Sequence, residues 1–147
     1  MSKTQSASTG YTLITGASSG IGEALARCFA QAGHDLVLVA RSRAKLQALA
    51  SGLKQRHGVR VVVAPADLAG PEAAVELGRV LGRKRCSVDL LVNCAGVLEQ
   101  GAFSSLPASA HQQIIALNIA GLTAMLSEFL PGMLKLPGRA GRGGCST

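Results

Sequence analysis

Thr15-Gly16-Ala17-Ser18-Ser19-Gly20-Ile21-Gly22 follows directly on the apolar run Tyr11-Thr12-Leu13-Ile14 and leads into the helical pattern Glu23 to Gln31. A buried strand entering a glycine-rich turn that opens a helix is the order a phosphate-binding turn requires. Gly16 can take a tight turn that a Cβ would forbid, and Gly20 leaves bare backbone for a pyrophosphate to approach. Gly22 allows the new helix to lie close on the strand. The free N–H groups and positive dipole end of that helix then face the phosphates. The competing reading is a tight strand–helix turn with no ligand, and the placement of the turn near the N-terminus argues against it.

Outward from this turn, short β-rich runs alternate with helical patterns, which predicts an α/β fold with a parallel sheet and crossover helices. The predicted strands are Tyr11–Thr15, Asp35–Ala40, Val59–Ala64 and Asp89–Asn93. They are nearly continuous apolar runs, as strands covered by helices on both faces should be. The predicted helices are Gly20–Gln31, Ser42–Arg56, Pro71–Leu81 and a long one from Ser109 toward Leu134. Gly33 and Gly58 fit helix ends, Pro71 fits a first helical turn, and Pro131 should kink or end the last helix. Right-handed crossovers give a Rossmann-like, doubly wound sheet of order 3-2-1-4, stopping after about four strands. The ligand crevice should lie beyond the carboxyl ends of those strands.

At 147 residues the chain fits one domain, and 48% hydrophobic with 16% charged residues makes it globular. We expect a loose tail over 1–9, a domain over 10–136 and a Gly/Arg-rich disordered tail over 137–147. The net charge is +7, but the basic residues are scattered. Trp is absent and Tyr occurs once, leaving few stacking platforms for single-stranded nucleic acid. No nucleic-acid partner is expected, and attraction of a polyanionic cofactor explains some of the excess. Cys28, Cys86, Cys94 and Cys145 form no C-x-x-C pair, and His34, His57 and His111 add no ligand spacing, so no metal site is expected. Free thiols and the lack of an export core point to the cytoplasm. Ile114 to Leu134 carries a single charge, Glu128, and imitates a membrane span. Asn118, Ser127, Glu128 and Pro131 argue instead for a helix lying between a sheet and a partner subunit.

The glycine spacing G-x-x-x-G-x-G after a threonine resembles that of the short-chain dehydrogenase/reductase family. The resemblance continues through Asp67-Leu68, Asn93-Cys94-Ala95-Gly96 and Asn118, landmarks that occur in the family's order. It implies that Thr15, Gly16, Ser18, Ser19, Gly20, Ile21 and Gly22 hold a dinucleotide. Ala40 stands where a family member selecting NAD carries Asp. Arg41 can bond a 2′-phosphate with help from Ser42 or Arg43, so NADP is expected over NAD. The bland alternative, solvated arginines at a helix start, is an unfavourable place for cations. Asp67 implies an adenine contact with Leu68 beside the ring; a helix N-cap fits it equally. Asn93 would brace the central strands while Ala95 and Gly96 admit the cofactor. Cys94 replaces the family's more common second Asn. Asn118 is either a satisfied core amide or the residue that bends the helix and holds a water of the proton relay.

Hydride transfer at a carbonyl needs a proton donor beside the reacting oxygen. In the family this is Tyr, four residues before a Lys, with a Ser polarising the oxygen. Tyr11 is the one tyrosine here, and Thr15 stands four residues after it. The sequence therefore predicts the cofactor-binding half of an oxidoreductase, inactive alone. The Gly/Arg segment after Leu136 reads as the product of a truncated or frameshifted frame. A non-catalytic nucleotide-binding module for regulation or pairing is the alternative, and a truncated product without stable function is a third. Strand Asp89–Asn93 should have an open edge. Ile114, Leu117, Leu122, Met125, Leu126 and Phe129 should expose an apolar face that favours a homo-oligomer or other self-association through the 109–134 helix.

Overall fold

The computed structural model of the chain describes residues 10–136, so the tails expected at 1–9 and 137–147 lie outside the described residues. Four parallel strands, β1 (Tyr11–Thr15), β2 (Asp35–Ala40), β3 (Val61–Pro65) and β4 (Val88–Val92), form one sheet of order β3-β2-β1-β4. The crossovers are α1 (Gly20–Gln31), α2 (Arg43–His57) and α3 (Ala73–Arg83). Strand alternation splits the apolar runs between two cores. Ile14, Leu36 and Leu38 pack on one face with Ala26 and Ala30 of α1 and Leu46, Leu49 and Leu53 of α2. Leu13, Val37 and Val39 pack on the other with Leu77 and Leu81 of α3. Each of the five β4 residues is only partly buried, because β4 is an edge strand.

Element boundaries follow local hydrogen bonding. β3 starts at Val61 rather than Val59 because the N–H of Arg60 is taken by the Asp35 carboxylate at 2.7 Å. Ser42 is the N-cap of α2 and accepts from the Lys45 N–H, and Gly58 closes the helix in the left-handed conformation with φ 66°. α3 begins at Ala73, two residues later than expected. Pro71 and Glu72 belong to a turn in which Gly70 N–H bonds the Asp67 carbonyl and Ala73 N–H bonds the Gly70 carbonyl.

The long helix runs as α4 (Ala108–Ile114), a π-helical stretch Ile115–Gly121, and α5 (Leu122–Leu134). Pro131 does not end it. The helix continues to Leu134, and Pro131 lies on the exposed side, where water can satisfy the carbonyl left without a donor. By length and composition Ala108–Leu134 could cross a membrane. Its α5 part is nevertheless docked on the sheet through Met125 and Phe129. That docking corrects the apolar face expected from the sequence: Met125 and Phe129 are buried, and Ile114 and Leu117 are half-buried. The stripe left in solvent is Ile115, Ile119, Leu122, Leu126, Leu130 and Leu134.

Candidate nucleotide-binding site

The turn after β1 is locked from three sides. Gly16 has φ 65°, and a Cβ there would sit 2.8 Å from the carbonyl carbon of Cys94 and 2.9 Å from the Ala95 nitrogen. A Cβ on Gly22 would run into the Gly16 carbonyl, so α1 starts against the turn it leaves. The buried Thr15 hydroxyl accepts from the N–H groups of Cys94 and Ala95, both at 3.0 Å, and lies 3.5 Å from the Val92 carbonyl. Thr15 therefore straps β1 to the end of β4 instead of facing the crevice. Thr15→Val orphans two N–H groups, at about 1–3 kcal/mol each, whereas Thr15→Ser keeps the bonds. Denaturant unfolding of the two variants should separate by that amount; equal stabilities would refute the strap.

Beyond the strand ends lies a cavity of about 520 Å³, within the range of cofactor sites. Gly16, Ser18, Ser19, Gly20, Ile21 and Gly22 form one wall. Gly20 has φ 55° with nothing within 4 Å of its missing side chain, so its backbone is bare toward the opening. Ser19 caps α1 with extended backbone but no side-chain bond, so the first-turn N–H groups remain available to an anion. Ile21 stands 75% exposed at the mouth.

Ala40, Arg41 and Ser42 form the wall at the end of β2, with Ala66, Asp67 and Leu68 beside them. Arg43 turns away and lines a separate groove along β3 with Val63, Pro65 and Lys84. Lys45, which sequence reasoning passed over, faces the main cavity. Asp67 is not a helix N-cap, since Glu72 holds that position. Its carboxylate accepts from the Ala69 N–H at 3.1 Å, shaping the turn that carries Leu68 inward.

Cys94, Ala95, Gly96 and Val97 form the floor. Asn93 lies off it, lining a narrow void with Thr15, Gly121 and Met125. Asn118 spans its gap twice, its Oδ1 accepting from the Val97 N–H at 2.9 Å and its Nδ2 donating to the Val97 carbonyl at 2.8 Å. It stands within the π-helical turn, and a Cβ on Gly121 at the end of that turn would run into the Leu68 carbonyl. The widened turn thus brings the helix onto both cavity loops. The side-chain amide of Asn118 is satisfied by the chain itself, and the helix is irregular around it.

Tyr11 lies at the opposite end of β1, paired with Asp35 of β2. Burial pushes its hydroxyl above the usual tyrosine range, and Arg60 lies 5.0 Å over its ring. It is a core residue remote from the cavity. Among the described residues no group of three or more His, Cys, Asp or Glu side chains could hold a metal.

A four-stranded Rossmann-like sheet with this turn at its carboxyl edge defines a dinucleotide-fold protein. The short chain dehydrogenase family matches residues 11–143, and the chain belongs to it. It is 34% identical over 125 residues to the NADP-dependent 3-hydroxy acid dehydrogenase YdfG of Escherichia coli K12, covering 84% of this chain and 48% of that protein. A short-chain dehydrogenase from Sphingobium yanoikuyae in complex with NADPH superposes with TM-score 0.76 at 40% identity, over 83% of this chain and 47% of that one. An alcohol dehydrogenase from Thermococcus sibiricus complexed with 5-hydroxy-NADP gives TM-score 0.80 at 34% identity, over 84% and 53%. The chain therefore spans about half the length of the relatives it matches.

Proposed function

We propose that this chain is the NADP(H)-binding part of an oxidoreductase that moves hydride between NADP(H) and a carbonyl or alcohol. The observation that carries the cofactor choice is Arg41 on the cavity wall directly after Ala40, with no carboxylate at the end of β2. A carboxylate there would bond a free ribose and repel a 2′-phosphate; an arginine attracts the phosphate. The locked glycine turn and the uncapped α1 N-terminus suit the pyrophosphate, and the Ala66–Leu68 wall suits the adenine. When bound, the nicotinamide supplies the hydride. The chain's own residues bind and orient the dinucleotide.

No Tyr-x-x-x-Lys pair occurs in the sequence, so we assign binding without turnover to these 147 residues. A nucleotide-binding module for regulation or pairing is the second reading, which the same cavity would serve. Cys28, Cys86 and Cys94 are free thiols, which suits a reducing cytoplasm. Isothermal titration with NADP(H) and NAD(H) tests the assignment. Arg41→Ala should cost about 1–3 kcal/mol in NADP(H) affinity and little for NAD(H). An unchanged ratio of the two affinities would overturn the cofactor choice, and carbonyl reduction that survives purification would overturn the inactivity.

A further inference from the structure

Three cations stand at the start of α2: Arg41 before the N-cap, Arg43 and Lys45 after it, with no acidic residue in the first turn. Positive charge is unfavourable at a helix N-terminus. Among the described residues the ion pairs are Arg27–Glu23, Arg60–Asp35 and Arg79–Glu76, so none of the three is neutralised by a carboxylate. The fold sorts them. Arg41 and Lys45 line the dinucleotide cavity together with Ser42, whereas Arg43 lines the groove on the β3 side. Two cations without an ion pair among the described residues thus line one cavity, which gives that wall more positive charge than one arginine supplies.

We infer that Lys45 is a second specificity-determining residue, sharing the adenosine 2′-phosphate with Arg41. This rests on the NADP(H) reading above and extends it to a residue outside the glycine turn and the end of β2. A phosphate monoester carries a charge of about −1.5 to −2 near neutral pH. The arginine fork engages two oxygens and offsets about one charge. Lys45, a flexible point charge one helical turn further on, meets the remaining oxygen and charge. Ser42 is occupied in capping the Lys45 N–H at 3.4 Å, which holds the first turn of α2 in place beneath both cations.

The test is isothermal titration of the whole chain with 2′,5′-ADP and with 5′-AMP, for the wild type, Lys45→Gln and Arg43→Gln. Arg43 sits as close to the helix end as Lys45 but faces the other groove, so it separates a directed contact from a general field. Lys45→Gln should weaken 2′,5′-ADP about tenfold, the value of one charge-assisted hydrogen bond at a partly exposed site, and 5′-AMP less than about twofold. Arg43→Gln should weaken either ligand less than about twofold. The Lys45 effect should shrink below about pH 6, where the phosphate loses its second charge. Three results would overturn the inference: no loss of 2′,5′-ADP affinity in Lys45→Gln, an equal loss for 5′-AMP, or an equal loss in Arg43→Gln. A wild type that binds 2′,5′-ADP no better than 5′-AMP would instead overturn the NADP(H) reading, and this inference with it.

Discussion

Gly16→Val is expected to abolish dinucleotide binding and to leave the domain close to its unfolding threshold at room temperature. Two costs combine at this position. A β-branched residue at φ 65° is strained by about 1–3 kcal/mol. Its Cβ would also lie 2.8 Å from the carbonyl of Cys94, a backbone atom held in place by the Thr15 strap, and overpacking of this kind costs about 1–3 kcal/mol more. Together these consume a large share of the ~5–15 kcal/mol that stabilises a domain. Gly20→Ala is the informative comparison. Gly20 also has positive φ, but no atom lies within 4 Å of its missing side chain, so stability should fall by only about 1 kcal/mol. Binding should still drop sharply, because the new methyl group enters the space we assign to phosphate. Thermal unfolding and titration with NADPH measure both effects. A Gly16→Val protein that melts and binds like the wild type would show that the turn is not wedged as described.

The 147-residue chain should self-associate at micromolar concentrations through its long apolar helix. Ile115, Ile119, Leu122, Leu126, Leu130 and Leu134 recur at helical spacing and leave a continuous apolar stripe in solvent. A stripe of this length is more than a monomer usually exposes. Beside it, β4 is the outer strand of the sheet that the described residues form. Size-exclusion chromatography with light scattering should report a dimer or larger species. Leu126→Glu with Leu130→Lys should shift the distribution downward without disturbing Met125 and Phe129, which face the sheet. A compact wild-type monomer would refute the expectation.

What was legible in the sequence was what depends on short-range chemistry. Tyr11–Thr15, Gly20–Gln31 and Asp35–Ala40 were read to the residue, because a glycine turn, a glycine C-cap and an apolar run are local signals. The order of the four strands followed from right-handed crossovers together with the doubly wound pattern. What the sequence did not show concerns direction rather than existence. Arg43 and Lys45 are two residues apart, and which of them meets the cavity depends on the angle at which the Ser42 cap launches α2. Lys45 does carry a local signal, a second cation four residues after Arg41. The π-helical turn had no local signature, since it is held by Asn118 on Val97 and by Gly121 against Leu68. The resemblance placed Thr15 among the expected ligand contacts; its hydroxyl meets the amides of Cys94 and Ala95, far along the chain, which no local signal shows.

The strap at Thr15, the wedge at Gly16 and the contact of Gly22 with the Gly16 carbonyl have a thermodynamic consequence for recognition. The conformational entropy of this turn's backbone, which we propose grips phosphate, is lost when the chain folds, not when a ligand arrives. Preorganisation of this kind raises affinity without adding a contact. Arg41 and Lys45 are different: both are exposed side chains that surrender rotamer freedom only on docking. The two halves of the site should therefore respond to change in different ways. Damage to the backbone cradle acts as a threshold, whereas charge changes on α2 tune affinity in graded steps. Variation in the proposed cofactor choice should cost little stability at the start of α2 and much at the end of β1.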